Sequence, residues 1–113
     1  MNGNGEQGQQ QQQGGVVLSL RSGKQVEVDP GAFYLNTTLT TVNVGGFFLD
    51  RCPLAWTMVD GKRVSAVELG KPMTAEDLLR IFEQGQILGR DRADSRRYVK
   101  DAQERLQEMM GKR

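Results

Sequence analysis

Residues 16–28 read Val16-Val17-Leu18-Ser19-Leu20-Arg21-Ser22-Gly23-Lys24-Gln25-Val26-Glu27-Val28. Val16, Leu18 and Leu20 fall at alternate positions, as do Val26 and Val28, and alternation with a period of two is the pattern of a half-buried strand. Ser22-Gly23 separates the two runs, so the segment predicts a hairpin. Its register can be decided, because a slip of one residue turns every side chain to the other face. A two-residue loop at Ser22-Gly23 would set Leu18 against Glu27 and Leu20 against Gln25. A three-residue loop, Arg21-Ser22-Gly23, sets Leu18 against Val26 and Val16 against Val28. It also puts Gly23 where a type I turn followed by a bulge needs a left-handed residue. The second register gives one wholly apolar face.

Strand chemistry continues downstream. Asp29-Pro30-Gly31 is a turn, with Pro presetting φ. Ala32–Leu35 and Thr38–Val44 read as strands, the second rich in β-branched residues that suit a pleated surface. Gly45-Gly46 interrupts as a bulge, bend or turn. Phe47-Phe48-Leu49 is a fully apolar triplet expected in the middle of the core, closed by residues 50–53. Trp56–Val59 and Arg63–Leu69 flank Asp60-Gly61, a strong hairpin signal, and Gly70-Lys71-Pro72 ends that unit.

Two helices follow. Thr74 is an N-cap with acidic Asp77 at N3, Met73 and Leu78 have the spacing of a hydrophobic staple, and Gly85 is the expected C-terminal stop. Leu78, Leu79 and Phe82 line one face, with Ile81 at its edge. Residues 86–89 connect to a second helix beginning near Asp91 or Asp94 and ending at Met110. Its apolar seam is narrow: Val99, Ala102, Leu106 and Met109, flanked by Tyr98 and Met110. Arg97 with Asp101, and Lys100 with Glu104, are neighbours of opposite charge.

Upstream of Val16 the composition changes. Residues 1–15 are almost entirely Gly, Gln and Asn, with Gln9–Gln13 unbroken, a composition that buries no apolar surface and predicts a disordered arm. The fold expected is therefore α+β: an N-terminal antiparallel sheet or small open barrel, two C-terminal helices, and the arm. The divisions are 1–15 for the arm, 16–89 for the core domain and 90–113 for the charged C-terminal helix.

The 113 residues contain no histidine and one cysteine, Cys52. Imidazole-based acid–base, nucleophilic and zinc chemistry is thereby excluded, and a lone cysteine builds neither a disulfide nor a four-cysteine site. Gly23-Lys24 lacks the hydroxyl residue and first glycine of a phosphate loop. Asp50, Asp60 and Glu68 flank strands, but solvent and turns account for them. No catalytic residue, metal or cofactor is expected. No apolar run approaches the roughly 18 residues that span a membrane, and no secretory signal is visible. The chain is therefore expected in the cytoplasm, or in a virion if viral.

With 15 basic and 14 acidic residues the net charge is +1, too balanced for a surface devoted to nucleic acid. A local excess does occur: Arg90, Arg92, Arg96, Arg97 and Lys100 against Asp91 and Asp94, with Tyr98 interleaved as a stacking ring. The leading expectation is a non-catalytic interaction or assembly module. It would bind a protein partner or itself through Tyr98, Val99, Ala102, Leu106, Met109 and Met110; the equal alternative is that Val99, Leu106 and Met109 cap the domain's own core. Short length, a low-complexity arm and a β core also fit a small virion or phage-assembly component. The alternative is a nucleic-acid-associated protein using residues 90–100, and a small metal-dependent enzyme comes last.

Overall fold

A computed structural model describes residues 14–65, 73–88 and 92–111. The fold is α+β. Strands β1 (Val16–Ser19) and β2 (Gln25–Val28) form a two-stranded sheet. A 3₁₀ turn at Pro30–Ala32 leads into β3 (Tyr34–Val44), β4 (Phe47–Val59) and β5 (Lys62–Ser65). Helix α1 (Ala75–Gln84), the short strand β6 (Gln86–Ile87) and helix α2 (Arg92–Gly111) complete the order. The larger sheet runs β5-β4-β3-β6, antiparallel except for β6, which pairs in parallel with Tyr34 and Leu35.

The first hairpin has the register that places its apolar residues together: Val16 opposes Val28 and Leu18 opposes Val26. Gly23 adopts φ +95°, the left-handed value the three-residue loop requires. Asp29 caps the 3₁₀ turn, its Oδ1 accepting from the Gly31 amide at 2.9 Å.

β3 and β4 are longer than their local sequence announces. The two strand runs expected around Thr37 are one strand, and residues 50–53 do not end the next one. Two register shifts absorb the irregular residues: Thr37 and Thr38 are extra on β3 between Asn36 and Leu39, and Thr41 faces both Asp50 and Arg51 between the Thr40–Cys52 and Val42–Leu49 pairs. Pro53 sits beside the first shift, where the ladder is already broken and a missing donor is tolerated. Arg51 takes φ +55° at the second.

Both ends of β4 turn tightly. Gly45-Gly46 (φ +59° and +95°) joins Val44 to Phe47, and Asp60-Gly61 (φ +53° and +77°) joins Val59 to Lys62. These are two-residue turns with both φ positive, whose twist matches that of the strands. The second hairpin pairs Trp56 with Ser65; the expected continuation over residues 66–69, and the Gly70-Lys71-Pro72 stop, lie outside the described residues. Lys24 Nζ reaches Asp60 Oδ2 at 2.7 Å, linking the first loop to this turn and holding the Asp60 carboxyl below its ordinary range.

Thr74 Oγ1 accepts from the Asp77 amide at 3.1 Å, so it is the N-cap. Met73 and Leu78 are both buried, and Ile81, expected at the edge of the apolar face, is fully buried. Gly85 ends α1 in an extended conformation (φ −71°, ψ 167°) rather than a left-handed one. A side chain there would place Cβ 2.7 Å from the Ile81 carbonyl oxygen and 3.2 Å from that of Phe33. Glycine is needed for close approach, because Gly85 N–H bonds Ile81 O and Gln86 N–H bonds Phe33 O in consecutive residues. That economy lets the chain pass from helix directly into β6, where only a connector was expected.

One core results. Leu18 from the first sheet, Leu35, Val42 and Cys52 from the second, Leu78 and Phe82 from α1, and Leu106 from α2 share it. The two glycines before Val16 also belong to the fold. Gly14 O accepts from Arg80 Nη2 at 2.6 Å and Gly15 N–H donates to Glu27 Oε2 at 2.8 Å. Residues 1–13 lie outside the described residues. No helix among the described residues is long and apolar enough to cross a membrane.

Candidate functional site: an apolar hollow beside the β3–β4 tip

The expected contact seam on α2 divides. Val99, Ala102 and Leu106 are buried (5%, 0% and 0% exposed) inside the chain's own core, where α2 lies against α1, β3 and β4. Those three side chains are not at the surface for a partner. The stripe looks narrow in sequence because two of its members are small: Ser95 (2% exposed) continues it and Ala102 lies in its middle. Small residues let the helix axis approach the sheet closely, so few large apolar groups fill the space. Tyr98 is half-buried on one flank. Met109 packs half-buried against the core, and Met110 remains 37% exposed.

The methionines do not stand alone. Phe47 and Phe48, expected at the centre of the core, are 66% and 71% exposed. The tight Gly45-Gly46 turn explains the reversal. Phe47 opposes Val44 and Phe48 opposes Asn43; opposed residues share a face, so Phe47 lies on the core side and Phe48 on the outer side. Val44, bridged by Met73, is 1% exposed, while Phe47 opposite it is left open. Only Leu49 of the triplet is buried. Phe47, Phe48, Val44, Ala75, Met109 and Met110, together with Gly45 and Glu108, surround a hollow of about 710 Å³. Among the described residues Glu108 is its one charged lining residue.

Arg105 fixes α2 beside this strand. Its Nη1 and Nη2 donate to the carbonyls of Asp50 (2.6 Å) and Arg51 (3.1 Å), the two residues of the β4 bulge. Nε lies 3.5 Å from Asp101 Oδ2 without hydrogen-bond geometry. The next helical turn after Arg105 carries Glu108, Met109 and Met110, so the anchored bulge sets where the methionines meet the phenylalanines.

The basic segment is arranged differently from its expected footprint. Arg90 lies outside the described residues, and Arg92 enters only as the first residue of α2. Arg96 and Lys100 are exposed one turn apart. Arg97 pairs with Asp94 at 2.8 Å, not with Asp101, which faces Arg105. Tyr98 stands two residues from Arg96, roughly 160° around the helix, so the structure does not bring that ring and that guanidinium together.

Cys52 is fully buried, and desolvation pushes its thiol up to about 12 against the opposing pull of Arg105. A thiol so held is not a nucleophile at neutral pH. On the outer sheet face Trp56 is flanked by Tyr34 (ring centroids 4.7 Å apart) and by the Arg63 guanidinium 4.1 Å over its ring, and its Nε1 donates to Asn36 at 3.1 Å. Its faces are thus occupied from within the chain. Among the described residues no group of three or more Cys, Asp or Glu side chains gathers as a metal site would need.

The sequence matches no family model, and no curated protein or solved structure is significantly similar to it. Sequence reasoning missed the phenylalanine tip because an apolar triplet ordinarily signals burial. The available signal was the Gly-Gly pair in front of it, which places the triplet at a hairpin end.

Proposed function

We propose that this chain is a non-catalytic interaction module that binds an apolar protein surface through the hollow beside the β3–β4 tip. The observation that carries the reading is the pair Phe47 and Phe48, 66% and 71% exposed, at the mouth of a hollow lined by Met109 and Met110. Leaving Phe47 in water on the core side of the sheet, beside Met109 and Met110, forgoes about 1.5–3 kcal/mol of burial, and an exposed apolar patch on a protein surface marks a contact site. Methionine beside them suits a surface that must adapt to another. The absence of histidine from the sequence supports the non-catalytic part of the reading.

The expected role of α2 in contact is kept but moved: Met109 and Met110 serve the surface, and β4 supplies its larger share. A solvatochromic apolar dye tests the reading directly. The parent protein should enhance its fluorescence, and a Phe47→Ser, Phe48→Ser double variant with unchanged circular dichroism should not. Equal enhancement by both would place apolar binding elsewhere and end the proposal.

A further inference from the structure

We infer that the β1–β2 loop and the β4–β5 turn form a binding site for single-stranded nucleic acid, with Arg63, laid flat over Trp56, as its stacking plane. The first ground is the meeting of two loops distant in sequence. Lys24 of the one and Asp60 of the other are joined at 2.7 Å, which holds residues 20–24 beside residues 59–63. Arg21, Lys24, Lys62 and Arg63 stand there against Asp60 alone, four cations to one carboxylate, whereas the chain as a whole carries +1. Asp60 neutralises Lys24. Arg21, Lys62 and Arg63 are exposed and make no ion pair among the described residues. A cluster of that sign recruits a phosphate backbone.

The second ground is the geometry of Arg63. Its guanidinium lies 4.1 Å from the centroid of the Trp56 ring, and Trp56 is fixed by Tyr34 beside it and by Asn36 at its Nε1. Cation–π stacking engages only the face of a guanidinium that meets the ring. At this exposed position the opposite face and the in-plane N–H donors stay open. A base stacks on such a plane while the donors take a neighbouring phosphate. Met58, 51% exposed, opposes Arg63 and so shares its face, adding apolar surface beside the plane. This face is turned from the helices, since the alternating neighbours Leu35 and Ala55 are buried in the core with α1 and α2.

The plane selects the class of polyanion. A duplex keeps its bases stacked on one another, so only an unpaired strand lays one on Arg63. An acidic polymer without rings would meet the charges and leave the guanidinium face unused. The site is separate from the apolar hollow: β4 runs from Phe47 at the hollow to Val59 at this turn, so the two surfaces lie at opposite ends of one strand.

Trp56 is the chain's single tryptophan, so its emission reports on the site. Titration of the full chain with a short mixed-sequence single-stranded DNA at low salt should quench that emission. The logarithm of the affinity should fall with that of salt at a slope of about −2, as for roughly three phosphates contacted. Arg21→Gln, Lys62→Gln and Arg63→Gln together should weaken binding at least about tenfold with circular dichroism unchanged. Should that variant misfold, Arg63→Lys decides alone, because it keeps the charge and removes the plane: weaker DNA binding supports the stacking role, and unchanged affinity overturns it. Polyglutamate should bind more weakly and leave the emission unaltered. If polyglutamate or the corresponding duplex matches the single strand, the surface reads charge alone and the inference fails. A parent that binds no DNA overturns it, as does binding that survives the triple variant but is lost in Arg96→Gln, Lys100→Gln, which would place the contact on α2.

Discussion

Arg105 donates from Nη1 to the backbone carbonyl of Asp50 over 2.6 Å, tying the middle of α2 to the bulge of β4. A bulge leaves carbonyls without ladder partners, and here a charged side chain from a distant helix satisfies them. Hydrogen bonds with one charged partner contribute about 1.5–3 kcal/mol each. Arg105→Met, which keeps much of the apolar stem, should therefore destabilise the fold by about 2–4 kcal/mol, read as a lower urea midpoint. A midpoint within error of the parent would mean that water serves those carbonyls equally well.

Gly85→Ala should destabilise by steric conflict alone. Its φ of −71° suits any residue, yet the new Cβ meets two backbone oxygens at 2.7 and 3.2 Å. Opening the α1–β6 junction to admit it should cost about 1–3 kcal/mol. Thermal unfolding measures this, and an unchanged midpoint would show that the junction relaxes freely.

The cap of α1 offers a local test. Thr74→Ala removes the oxygen that accepts from the Asp77 amide, and loss of such a cap costs about 0.5–2 kcal/mol. Thr74→Asn, which restores an acceptor, should recover most of it in the same denaturation assay.

Cys52 gives a pH dependence of defined sign. The unfolded thiol ionises near its ordinary value of 9.0, whereas the folded one keeps its proton to about 12. Between those values the unfolded state binds fewer protons, so stability falls as pH rises from about 9 toward 12, with no contribution from this group below 9. Replacing Cys52 by Ala should flatten that part of the stability profile. A disulfide-exchange reagent at pH 8 should react only after denaturant is added.

Leu106 and Met110 separate core from surface on one helix. Leu106→Ala, at a fully buried position, should cost about 2–5 kcal/mol. Met110→Ser, at 37% exposure, should change stability by no more than about 0.5 kcal/mol and yet reduce apolar dye binding. If the two variants unfold alike, Met110 is structural and the contact surface shrinks to the phenylalanines.

The sequence by itself determined what depends on neighbours along the chain. Alternation and turn chemistry specify the Leu18–Val26 register, the left-handed Gly23, the Asp60-Gly61 turn and the Thr74 cap, because a strand's period and a helix's first amides are local matters. The missing imidazole is equally a property of composition. Tertiary structure alone decided which apolar residues would be covered. Phe47 and Phe48 read as core and are exposed, while Val99 and Leu106, which read equally as a contact seam or a cap on the core, are buried. Burial is set by what lies over a residue, and here that depends on a β4 bulge held by Arg105 some 55 residues away. No local pattern encodes that meeting. It follows from where α2 comes to rest against the sheet, once Ser95 and Ala102 allow close approach and the Gly45-Gly46 turn carries the aromatic tip beyond its cover.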